Sequence, residues 1–551
     1  MGAKENIILT GFSTTGKSQV AREVASRLGW GYLDLDDEVV RLAGKDIPRI
    51  FQEDGEARFR ELESQALREA CRGEKLVIAT GGGAILSDEN RELMAQRGVV
   101  ICLEARPETI YERLKEDAEG SSSPVVRPLL AANDPLQRII SLKGSRQPFY
   151  ALADWTIHTD NLTVSQVSQE VVRAWQLVRG RPAGLPRTSC QVTTLTESYP
   201  ILVDWGCLDR LGSLLRWLGL SGRAVVIGDE TVLFLYGQRL QAGLEREGYA
   251  VVSLGVPPGE SSKSLEMLSR LYDALVENKV ERGDSVLAVG GGVVGDLAGF
   301  VAATFLRGLP LIQVPTTLAA MVDASIGGKV AVNHPLGKNL IGAFYQPRLV
   351  LADTQTLTTL PQRELTSGWA EVIKHGLILD ASLVTFLEEN MAGLIRLDPE
   401  LTRQAISQSV ALKAQVVSED ERETGRRTIL NYGHTIGHAL EAATGYERFL
   451  HGEAVAIGMM GAALLSQRLG LITSEVVERQ RHLLEGFGLP TRAEGIAPAQ
   501  VLQAMELDKK VRAGQIRWVL LKGMGEAVIR SGISRGEVAA VLEATLGSSG
   551  N

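Results

Sequence analysis

Apolar runs alternate with amphipathic stretches along the first part of the chain. The run ENIILT at 5–10 leads into the helical pattern QVAREVASRL, and the later runs LVIATGGGAI and WTIHTD continue the alternation. Short buried strands that alternate with helices are typical of βαβ units, whose strands form a parallel sheet. The pattern predicts an α/β domain over 1–178, with helices on both sides of a parallel sheet.

The alternation starts again after a segment rich in Pro and Gly. RGRPAGLPRTSC at 179–190 is predicted to be a linker. Strand-like runs such as RAVVIGDETV and SVLAVGGGVV follow, and from Pro361 onward the patterns become helical. We expect a Rossmann-like α/β domain over 191–360 and a mainly helical domain over 361–551.

Composition narrows the classes of function. The net charge of −8 argues against a nucleic-acid partner, although a local pocket of Lys and Arg is enough for a small anionic substrate. The four cysteines form no CxxC pair and are predicted to be reduced thiols. The longest apolar helix, Ala454 to Leu465, is far shorter than the ~20 residues of a membrane span. These features predict a cytoplasmic protein with neither a nucleic-acid nor a membrane partner.

The first chemical motif is GFSTTGKS, from Gly11 to Ser18. It lies between a predicted strand and a predicted helix, which is the context of a P-loop. Backbone N–H groups of such a loop bind phosphate oxygens, Lys17 reaches the outer phosphates, and Ser18 holds Mg²⁺. The motif therefore predicts a site for ATP with Mg²⁺.

Further polar residues follow the predicted strands of this domain. Asp34 and Asp36 are two residues apart and should point the same way off a strand end, although a polar turn explains the spacing equally well. Gly81 to Gly83 give bare backbone against which a substrate could lie. The segment 115–130 carries Arg127 and has the composition of a mobile lid or of a plain surface loop.

Three of the chain's seven histidines lie within eighteen positions, in NYGHTIGHALEAATGYERFLHGE. His434 and His438 are four apart and share one face of a predicted helix, and His451 opens another helix. A helix N-terminus disfavours the imidazolium form, which leaves the His451 ring free to bind a metal. With Glu371 as third ligand, the set would be a catalytic metal site of two His and one carboxylate. Single histidines of this kind are more often capping or core-edge residues.

A Gly-rich segment between a strand and a helix suggests a dinucleotide. Glycines at 290, 292 and 295 match GxGxxG, but no acidic residue follows about 20 positions later, so this is not a standard Rossmann fingerprint. Lys329 and Lys338 lie in a turn-rich stretch, where lysines are usually just solvated. Together with Arg307 they make a phosphate pocket plausible.

The first 175 residues resemble shikimate kinase through GFSTTGKS, LDLDD, DGEARFRELE, TGGGA, RPLL and SRQPFY. The loop reads FSTT where many members have smaller residues, but the Gly, Lys and Ser anchors are intact. The resemblance implies that Asp34 positions Mg²⁺ and the attacking hydroxyl and that Arg127 closes over ATP. It implies that shikimate contacts Asp36, Arg60, Gly82 and Arg146. It implies that ATP contacts Gly11, Thr14, Thr15, Gly16, Lys17, Ser18 and Gln19.

Residues 191–545 resemble 3-dehydroquinate synthase. The motifs GESSK, GGGVVGD, PTT, SIGGKVAVNHPLGKN, WAEVIKHG, RTILNYGHTIGHALE, HGEAVAIGM and DKK occur in the order of that family. The resemblance implies a Zn²⁺ or Co²⁺ ion on Glu371, His434 and His451. It implies NAD⁺ contacts at Asp229, Glu260, Lys263, Gly291, Gly292, Val293, Gly295, Asp296, Thr316, Thr317, Lys329, Lys338, Thr356 and Thr359. It implies substrate contacts at Asp323, Lys329, Asn339, Lys374, Lys413, Arg427, Asn431, His438 and one of Lys509 and Lys510, with Arg307 reaching the site of a neighbouring subunit.

The sequence thus predicts a fused enzyme with two activities, acting on shikimate with ATP and on a heptulosonate phosphate with NAD and a metal. A homodimer through the C-terminal half is expected by resemblance. Three alternatives stay open: another sugar phosphate cyclase or a metal-dependent polyol dehydrogenase in the C-terminal half, and a non-catalytic nucleotide sensor in the N-terminal half.

Overall fold

The computed structural model describes residues 5–120, 134–182, 184–186, 188–194, 197–511 and 516–547. The chain divides into two compact units, Met1–Gly184 with Thr193–Ser198, and Leu185–Val192 with Tyr199–Asn551. The boundary between Gly184 and Leu185 falls inside the predicted linker, 179–190. A strand begins at Thr188, so the last three residues of that predicted linker are part of a sheet instead. The predicted division at residue 360 stays a prediction, because the structure groups both sides of it in one unit.

A five-stranded parallel sheet forms the centre of the first unit, in the order β2-β3-β1-β4-β5. Its strands are β1 (Asn6–Thr10), β2 (Gly31–Asp34), β3 (Leu76–Ala79), β4 (Gly98–Glu104) and β5 (Trp155–His158). Every residue of β1 and β4 is buried, as expected of parallel strands that are covered on both faces. The predicted α/β class with a parallel sheet is confirmed for this unit.

Eight helices follow or connect these strands in the part of the first unit that is described. They are α1 (Lys17–Leu28), α2 (Leu35–Ala43), α3 (Ile47–Glu53), α4 (Gly55–Ala70), α5 (Asp88–Arg97), α6 (Pro107–Gly120), α7 (Pro135–Tyr150) and α8 (Val164–Arg179). Two separate apolar clusters lie around the sheet, one with α1 and α8 and the other with α2, α4 and α7. Helices therefore cover both faces of the sheet, as predicted.

A seven-stranded sheet organises the first part of the second unit. The strands of this part are β6 (Thr188–Thr193), β7 (Ser198–Asp204), β8 (Ala224–Asp229), β9 (Val251–Val256), β10 (Ser285–Gly290), β11 (Leu311–Pro315), β12 (Lys329–His334), β13 (Gly337–Phe344) and β14 (Leu349–Asp353). The sheet order is β6-β7-β14-β11-β10-β8-β9. From β7 along this order to β9, every pair of neighbouring strands is parallel. Strands β12 and β13 form a separate antiparallel hairpin. The carboxyl ends of β8, β10 and β11 therefore lie side by side.

Helices connect the strands of this sheet. They are α9 (Leu211–Trp217), α10 (Glu230–Val232), α11 (Gln238–Arg246), α12 (Leu265–Glu277) and α13 (Gly292–Thr304). A π-helical turn, Ala320–Ala324, follows β11. The chain then enters the helical region.

The rest of the second unit is mainly helical, as predicted. Its helices are α14 (Gln362–Leu379), α15 (Ala381–Ile395), α16 (Pro399–Glu419), α17 (His434–Ala443), α18 (His451–Arg468), α19 (Ser474–Gly486), α20 (Pro498–Val511) and α21 (Arg535–Thr545). Short strands β15 (Ala493–Glu494), β16 (Trp518–Gly523), β17 (Glu526–Arg530) and β18 (Leu546–Gly547) complete it. Helix α18 is buried along most of its length and packs against both α14 and α17, so it is a core helix. Within the described ranges no helix is apolar over a length that would cross a bilayer.

Two candidate active sites

The loop at 11–16 joins the end of β1 to the N-terminus of α1. Gly11 and Gly16 have φ angles of 136° and 89°, which favour glycine, and a Cβ on Gly11 would lie only 2.2 Å from the carbonyl oxygen of Leu103. The buried Lys17 donates from Nζ to the carbonyl oxygens of Gly11 at 2.9 Å and Phe12 at 2.7 Å. Thr14, Thr15, Ser18 and Gln19 belong to the same loop and first helical turn. The loop has the construction of a phosphate-binding site.

Asp34 lies next to this loop at the end of β2. Its Oδ2 atom accepts a hydrogen bond of 2.5 Å from the Ser18 hydroxyl, and its Oδ1 atom accepts one of 3.0 Å from the backbone N–H of Asp36. Asp34 therefore caps α2, and Asp36 lies in the first turn of that helix. The prediction that both carboxylates point the same way off a strand end is wrong, because the chain turns into a helix directly after Asp34.

Two predicted shikimate-binding arginines lie against the glycine triplet. Arg146 donates from Nη1 to the carbonyl oxygen of Gly82 at 3.0 Å. A Cβ on Gly83 would lie 2.2 Å from Nη1 of Arg60, so bare backbone is needed for the guanidinium to fit there. A Cβ on Gly81 would lie 3.1 Å from Oδ1 of Asp36. The structure thus groups Asp36, Arg60, Gly82 and Arg146, whereas Arg127 lies outside the described residues.

Sequence reasoning missed two members of this group. Glu63 is buried and accepts a hydrogen bond of 2.7 Å from Arg60, three residues earlier on α4. Burial raises the pKa of the Glu63 carboxyl, and Arg60 opposes that effect. Tyr150 donates its hydroxyl to the carbonyl oxygen of Gly82 at 2.6 Å. The spacing of Arg60 and Glu63 on one helix face was a usable signal for the first of them.

In the second unit, three side chains from three helices converge. Oε1 of Glu371 on α14 lies 3.8 Å from Nε2 of His434 on α17 and 3.7 Å from Nε2 of His451 on α18. The ring centroids of His434 and His451 are 5.3 Å apart. Oε1 of Glu371 is buried and accepts no hydrogen bond from the described residues. A buried carboxylate oxygen that faces two imidazole nitrogens fits a metal ion with one position left open.

Close contacts between backbones set the spacing of these helices. A Cβ on Gly458 of α18 would lie 2.0 Å from the carbonyl oxygen of Gly433, which immediately precedes His434. A Cβ on Gly452, beside His451, would lie 1.8 Å from the carbonyl oxygen of Ser367 on α14. We call Gly433, Gly452 and Gly458 the glycine contacts. They allow α17 and α14 to approach α18 closely enough for the three side chains to meet.

The charges of the three groups depend on their neighbours. Burial raises the pKa of the Glu371 carboxyl, but Lys374 and the two imidazoles outweigh it and hold the pKa well below its usual value. Burial and Lys374 hold the pKa of His434 well below its usual value. Although the His451 side chain is partly exposed, surrounding protein atoms displace water from the ring and lower its pKa, yet its contacts with Glu371 and Glu441 raise the pKa to about 10. The expectation that the helix N-terminus keeps His451 neutral is therefore wrong for the chain itself, because two carboxylates decide its charge.

A cluster of cationic side chains surrounds this centre. Lys374 contacts Oε2 of Glu371, and Lys413 contacts Oδ1 of Asp323 and donates to its carbonyl oxygen at 2.6 Å. Asp323 lies on the π-helical turn, a feature that is often found at functional sites. Burial lowers the pKa of Lys413 to about 8, and Asp323 opposes that effect.

Two further predicted substrate residues meet at Glu423, which sequence reasoning did not single out. Glu423 contacts Nζ of Lys329 and accepts a hydrogen bond of 2.8 Å from Nδ2 of Asn431. Arg427 is buried and donates to the carbonyl oxygens of Gly327 and Glu421. Lys329 and Asn431 thus come together from a hairpin and a 3₁₀ turn.

The predicted dinucleotide residues lie at the carboxyl ends of adjacent parallel strands. Asp229 ends β8, Gly291 and Gly292 follow β10, and Thr316 and Thr317 follow β11. Helix α13 begins at Gly292 and also carries Val293, Gly295 and Asp296. This edge of an open parallel sheet is where ligands bind in doubly wound folds.

Four side-chain contacts lie at or near that edge. Nζ of Lys263 lies 2.5 Å from Oδ2 of Asp296, and burial raises the pKa of Asp296 to about 6 although Lys263 opposes it. The hydroxyl groups of Tyr236 and Thr359 are 2.5 Å apart, and Tyr236 also donates to the carbonyl oxygen of Thr356. Glu260 accepts a hydrogen bond of 2.7 Å from Asn333 on the hairpin. Tyr236 was not predicted from the sequence.

The lysines predicted to lie in a turn-rich loop are in strands. Lys329 opens β12 and Lys338 lies in β13, which pair as an antiparallel hairpin. Nζ of Lys338 lies 4.2 Å from the centre of the Tyr446 ring, and Asn339 donates from its backbone to Asn333 at 2.9 Å. The loop prediction is wrong because the β-branched and apolar residues of this stretch outweigh its glycines. Arg307 lies exposed in a left-handed conformation with a φ of 68°.

Some predicted contacts are not described. The side chains of Lys509 and Lys510 lie outside the residues whose side chains the structure describes. His438 is described, and its ring centroid lies 5.2 Å from that of His434 and 5.9 Å from that of His451. His438 therefore borders the same centre.

The family models that match the chain divide it in the same way as the two units. Residues 13–176 match the family model for shikimate kinase, 253–367 the model for the N-terminal part of 3-dehydroquinate synthase, and 368–511 the model for its C-terminal part. The 3-dehydroquinate synthase of Citrifermentans bemidjiense is 51% identical over 329 residues, which are 60% of this chain and 91% of that protein.

Two solved structures resemble the same part of the chain. The 2-epi-5-epi-valiolone synthase of Streptomyces hygroscopicus, with NAD⁺ and Zn²⁺ bound, is 31% identical, with a TM-score of 0.59 over 64% of this chain and 98% of that one. A 2-deoxy-scyllo-inosose synthase with carbaglucose-6-phosphate, NAD⁺ and Co²⁺ is 28% identical, with a TM-score of 0.60 over 65% of this chain and 99% of that one.

Proposed function

We infer that this chain, which belongs to the 3-dehydroquinate synthase family and carries a shikimate kinase domain before the synthase region, is a bifunctional enzyme of the shikimate pathway. Its N-terminal part phosphorylates shikimate with ATP to shikimate 3-phosphate. Its C-terminal part converts 3-deoxy-D-arabino-heptulosonate 7-phosphate to 3-dehydroquinate and releases phosphate. The observation that carries the second assignment is the convergence of Glu371, His434 and His451 on one point.

The synthase reaction uses NAD and a divalent metal, and the structures of the two cyclases contain NAD⁺ with Zn²⁺ or Co²⁺. Glu371, His434 and His451 would hold the metal, and the edge formed by β8, β10 and β11 would hold NAD⁺. When bound, the metal supplies a Lewis acid that lowers the pKa of the substrate hydroxyl, and NAD⁺ supplies a reversible hydride acceptor.

The chain's own contribution is to bind and orient an anionic substrate. Lys374, Lys413 and Arg427 are buried cations, and each is also held by an acidic group or carbonyl oxygen of the protein. Such preorganised charges stabilise a phosphate and a carboxylate without reorganisation during the reaction. They explain how a protein of net charge −8 binds a phosphorylated sugar acid. His438 borders the centre and is our candidate for moving a proton on the substrate.

In the first unit the chain contributes positioning and charge. Lys17 would leave its carbonyl partners for the outer phosphates of ATP, and Ser18 would hold Mg²⁺ while Asp34 accepts the Ser18 hydrogen bond. Arg60 and Arg146 would bind the carboxylate of shikimate, with Asp36 on its hydroxyl groups. Arg127 would complete the site over ATP.

We propose a homodimer through the synthase unit, in which Arg307 reaches the site of the neighbouring subunit. The exposure of Arg307 and its left-handed backbone are compatible with a residue that serves another chain. A cytoplasmic location is proposed because both reactions need nucleotide cofactors of the cell interior. Sedimentation of the purified chain tests the dimer.

One experiment tests the synthase assignment. The purified chain is incubated with the heptulosonate phosphate, NAD⁺ and Zn²⁺, and phosphate release is followed with and without a zinc chelator. We expect release only where zinc is available, with no net formation of NADH. Steady NADH accumulation would instead indicate a polyol dehydrogenase, and phosphate release from other sugar phosphates only would indicate a different cyclase.

A parallel experiment tests the kinase assignment. Phosphorylation of shikimate by ATP and Mg²⁺ is compared between the unmodified chain and Lys17→Ala. Full activity of the variant would contradict the role proposed for Lys17. Nucleotide binding by the unmodified chain without phosphorylation of shikimate would favour a nucleotide-sensing module.

A further inference from the structure

The two imidazoles of the proposed metal centre have different partners on their second nitrogens. Nδ1 of His434 lies 3.2 Å from the carbonyl oxygen of Tyr432, which no side-chain substitution can remove. Nδ1 of His451 lies 3.5 Å from Oε1 of Glu441. The orientation of His451 therefore depends on a side chain, whereas that of His434 depends on the backbone.

His451 has more need of such a partner than His434. Its side chain is 43% exposed, compared with 12% for His434, so packing alone does not fix its ring. Nε2 faces Glu371 on one side, and Nδ1 faces Glu441 on the other. A ring held between two carboxylates can present only one nitrogen to a metal beside Glu371, and that nitrogen is Nε2.

Glu441 is well placed for this task. It lies on α17, the helix that also carries His434, and its side chain is 11% exposed. The glycine contacts hold α17 against α18, which begins at His451. The packing of α17 against α18 therefore sets the positions of His434, Glu441 and His451 relative to one another.

We propose that Glu441 is a positioning residue of the metal centre, which accepts a hydrogen bond from Nδ1–H of His451 and so fixes the tautomer that presents Nε2 to the metal. This inference rests on the proposed synthase function. Carboxylate partners of metal-bound histidines orient the ring and make it a stronger ligand, and their removal typically costs about 10- to 100-fold in metal affinity.

An alternative role for Glu441 is that of a direct metal ligand. With His438 and His451 it forms a group of three potential ligand atoms within 4.8 Å of one another, which could hold a cation of its own. We favour the positioning role because His451 cannot face both ions without losing its Nδ1 proton. The number of zinc ions per chain distinguishes the two roles.

The test measures Zn²⁺ binding directly and does not depend on turnover. The full chain and the variants Glu441→Gln and Glu441→Ala are compared by competition with a chelator of known affinity, and zinc is counted by elemental analysis. We expect one zinc per chain in all three. The dissociation constant should rise about 10-fold or more in Glu441→Ala and less in Glu441→Gln, which keeps an acceptor oxygen. The absorption spectrum of the Co²⁺-loaded chain should change in the same order.

Matched controls make the outcome decisive. Glu447→Gln removes an exposed carboxylate from the segment between the same two helices and should leave zinc affinity unchanged. Unchanged affinity and an unchanged Co²⁺ spectrum in both Glu441 variants would overturn the proposal, as would two zinc ions in the unmodified chain that fall to one in Glu441→Ala. If Glu371→Ala and His434→Ala also bind zinc normally, the metal centre itself is misplaced, which is a separate failure.

Discussion

The two sites are built in different ways. The phosphate loop of the first unit is one contiguous stretch, in which backbone geometry and Lys17 make the site. The metal centre of the second unit takes one side chain from each of three helices, and 63 residues separate Glu371 from His434 in sequence. A contiguous site depends on local conformation, whereas an assembled site depends on how helices pack. Damage to packing should therefore affect the second site more than the first.

The largest effect is expected from His434→Ala. Loss of one of three ligands should remove the bound metal, whose Lewis acidity contributes several kcal/mol, so phosphate release should fall by about 10³-fold or more. Shikimate phosphorylation should stay unchanged, because the two reactions use different units. Parallel assays of both activities on one preparation check this. Equal loss of both activities would mean that the substitution unfolds the chain.

The reciprocal substitution, Lys17→Met, should affect only the kinase. Removal of one preorganised cation from a transition state typically costs about 10²- to 10³-fold, and phosphoryl transfer should fall by that amount. Synthase activity should not change. Lys75→Met, on a surface turn of the same unit, is the matched control and should leave both rates intact.

The substitution Gly458→Ala tests whether the metal centre depends on the close packing of its helices. The added methyl group would lie 2.0 Å from the carbonyl oxygen of Gly433, so α17 and α18 must separate, at a cost of about 1–3 kcal/mol in the stability of the second unit. Zinc affinity should fall with it. Gly536→Ala, at a helical position with no neighbouring atom within 4 Å, should stabilise the chain by up to about 1 kcal/mol. Thermal unfolding and zinc competition measure both variants, and similar behaviour of the two would contradict the role of the glycine contacts.

The smallest effect concerns His375, which is buried behind Glu371 on α14. Burial lowers the pKa of His375 to about 3, and the charge of Lys374 adds to the effect. The unfolded chain takes up a proton on this residue near pH 6.5, so stability from this source is lost as the pH falls below that value, by up to about 1.4 kcal/mol per unit.

NMR of the histidine rings measures the pKa of His375 in the folded chain directly. The ring signal that disappears in His375→Gln should not shift between pH 8 and pH 5. A midpoint inside that range would show that the ring is accessible to water and protons.

The sequence predicted the parallel sheets, the helical C-terminal region and the convergence of Glu371, His434 and His451. It did so because strand and helix periodicity are local, and because metal ligands are few and chemically distinctive. It did not predict the partners that hold those groups. Glu423 and Glu441 are ordinary glutamates in sequence, and only the packing of separate elements shows that Glu423 faces Lys329 and Asn431 and that Glu441 faces His451. Glu63 differs, because its partner Arg60 lies three residues earlier on the same helix.

Two errors have the same origin. The charge of His451 was inferred from its own helix, but Glu371 and Glu441, which come from two other helices, raise its pKa. The lysine stretch was assigned to a loop from its glycines, although strand pairing across the hairpin is a contact between two segments.

The glycine contacts have a consequence for redesign. Because backbone atoms fix the separation of the helices at Gly433, Gly452 and Gly458, the Cα positions of the ligand-bearing residues do not depend on which donor atoms those residues carry. Exchanging an imidazole for a thiolate or a carboxylate would then alter the preference among zinc, cobalt and softer or harder ions while the scaffold keeps its dimensions.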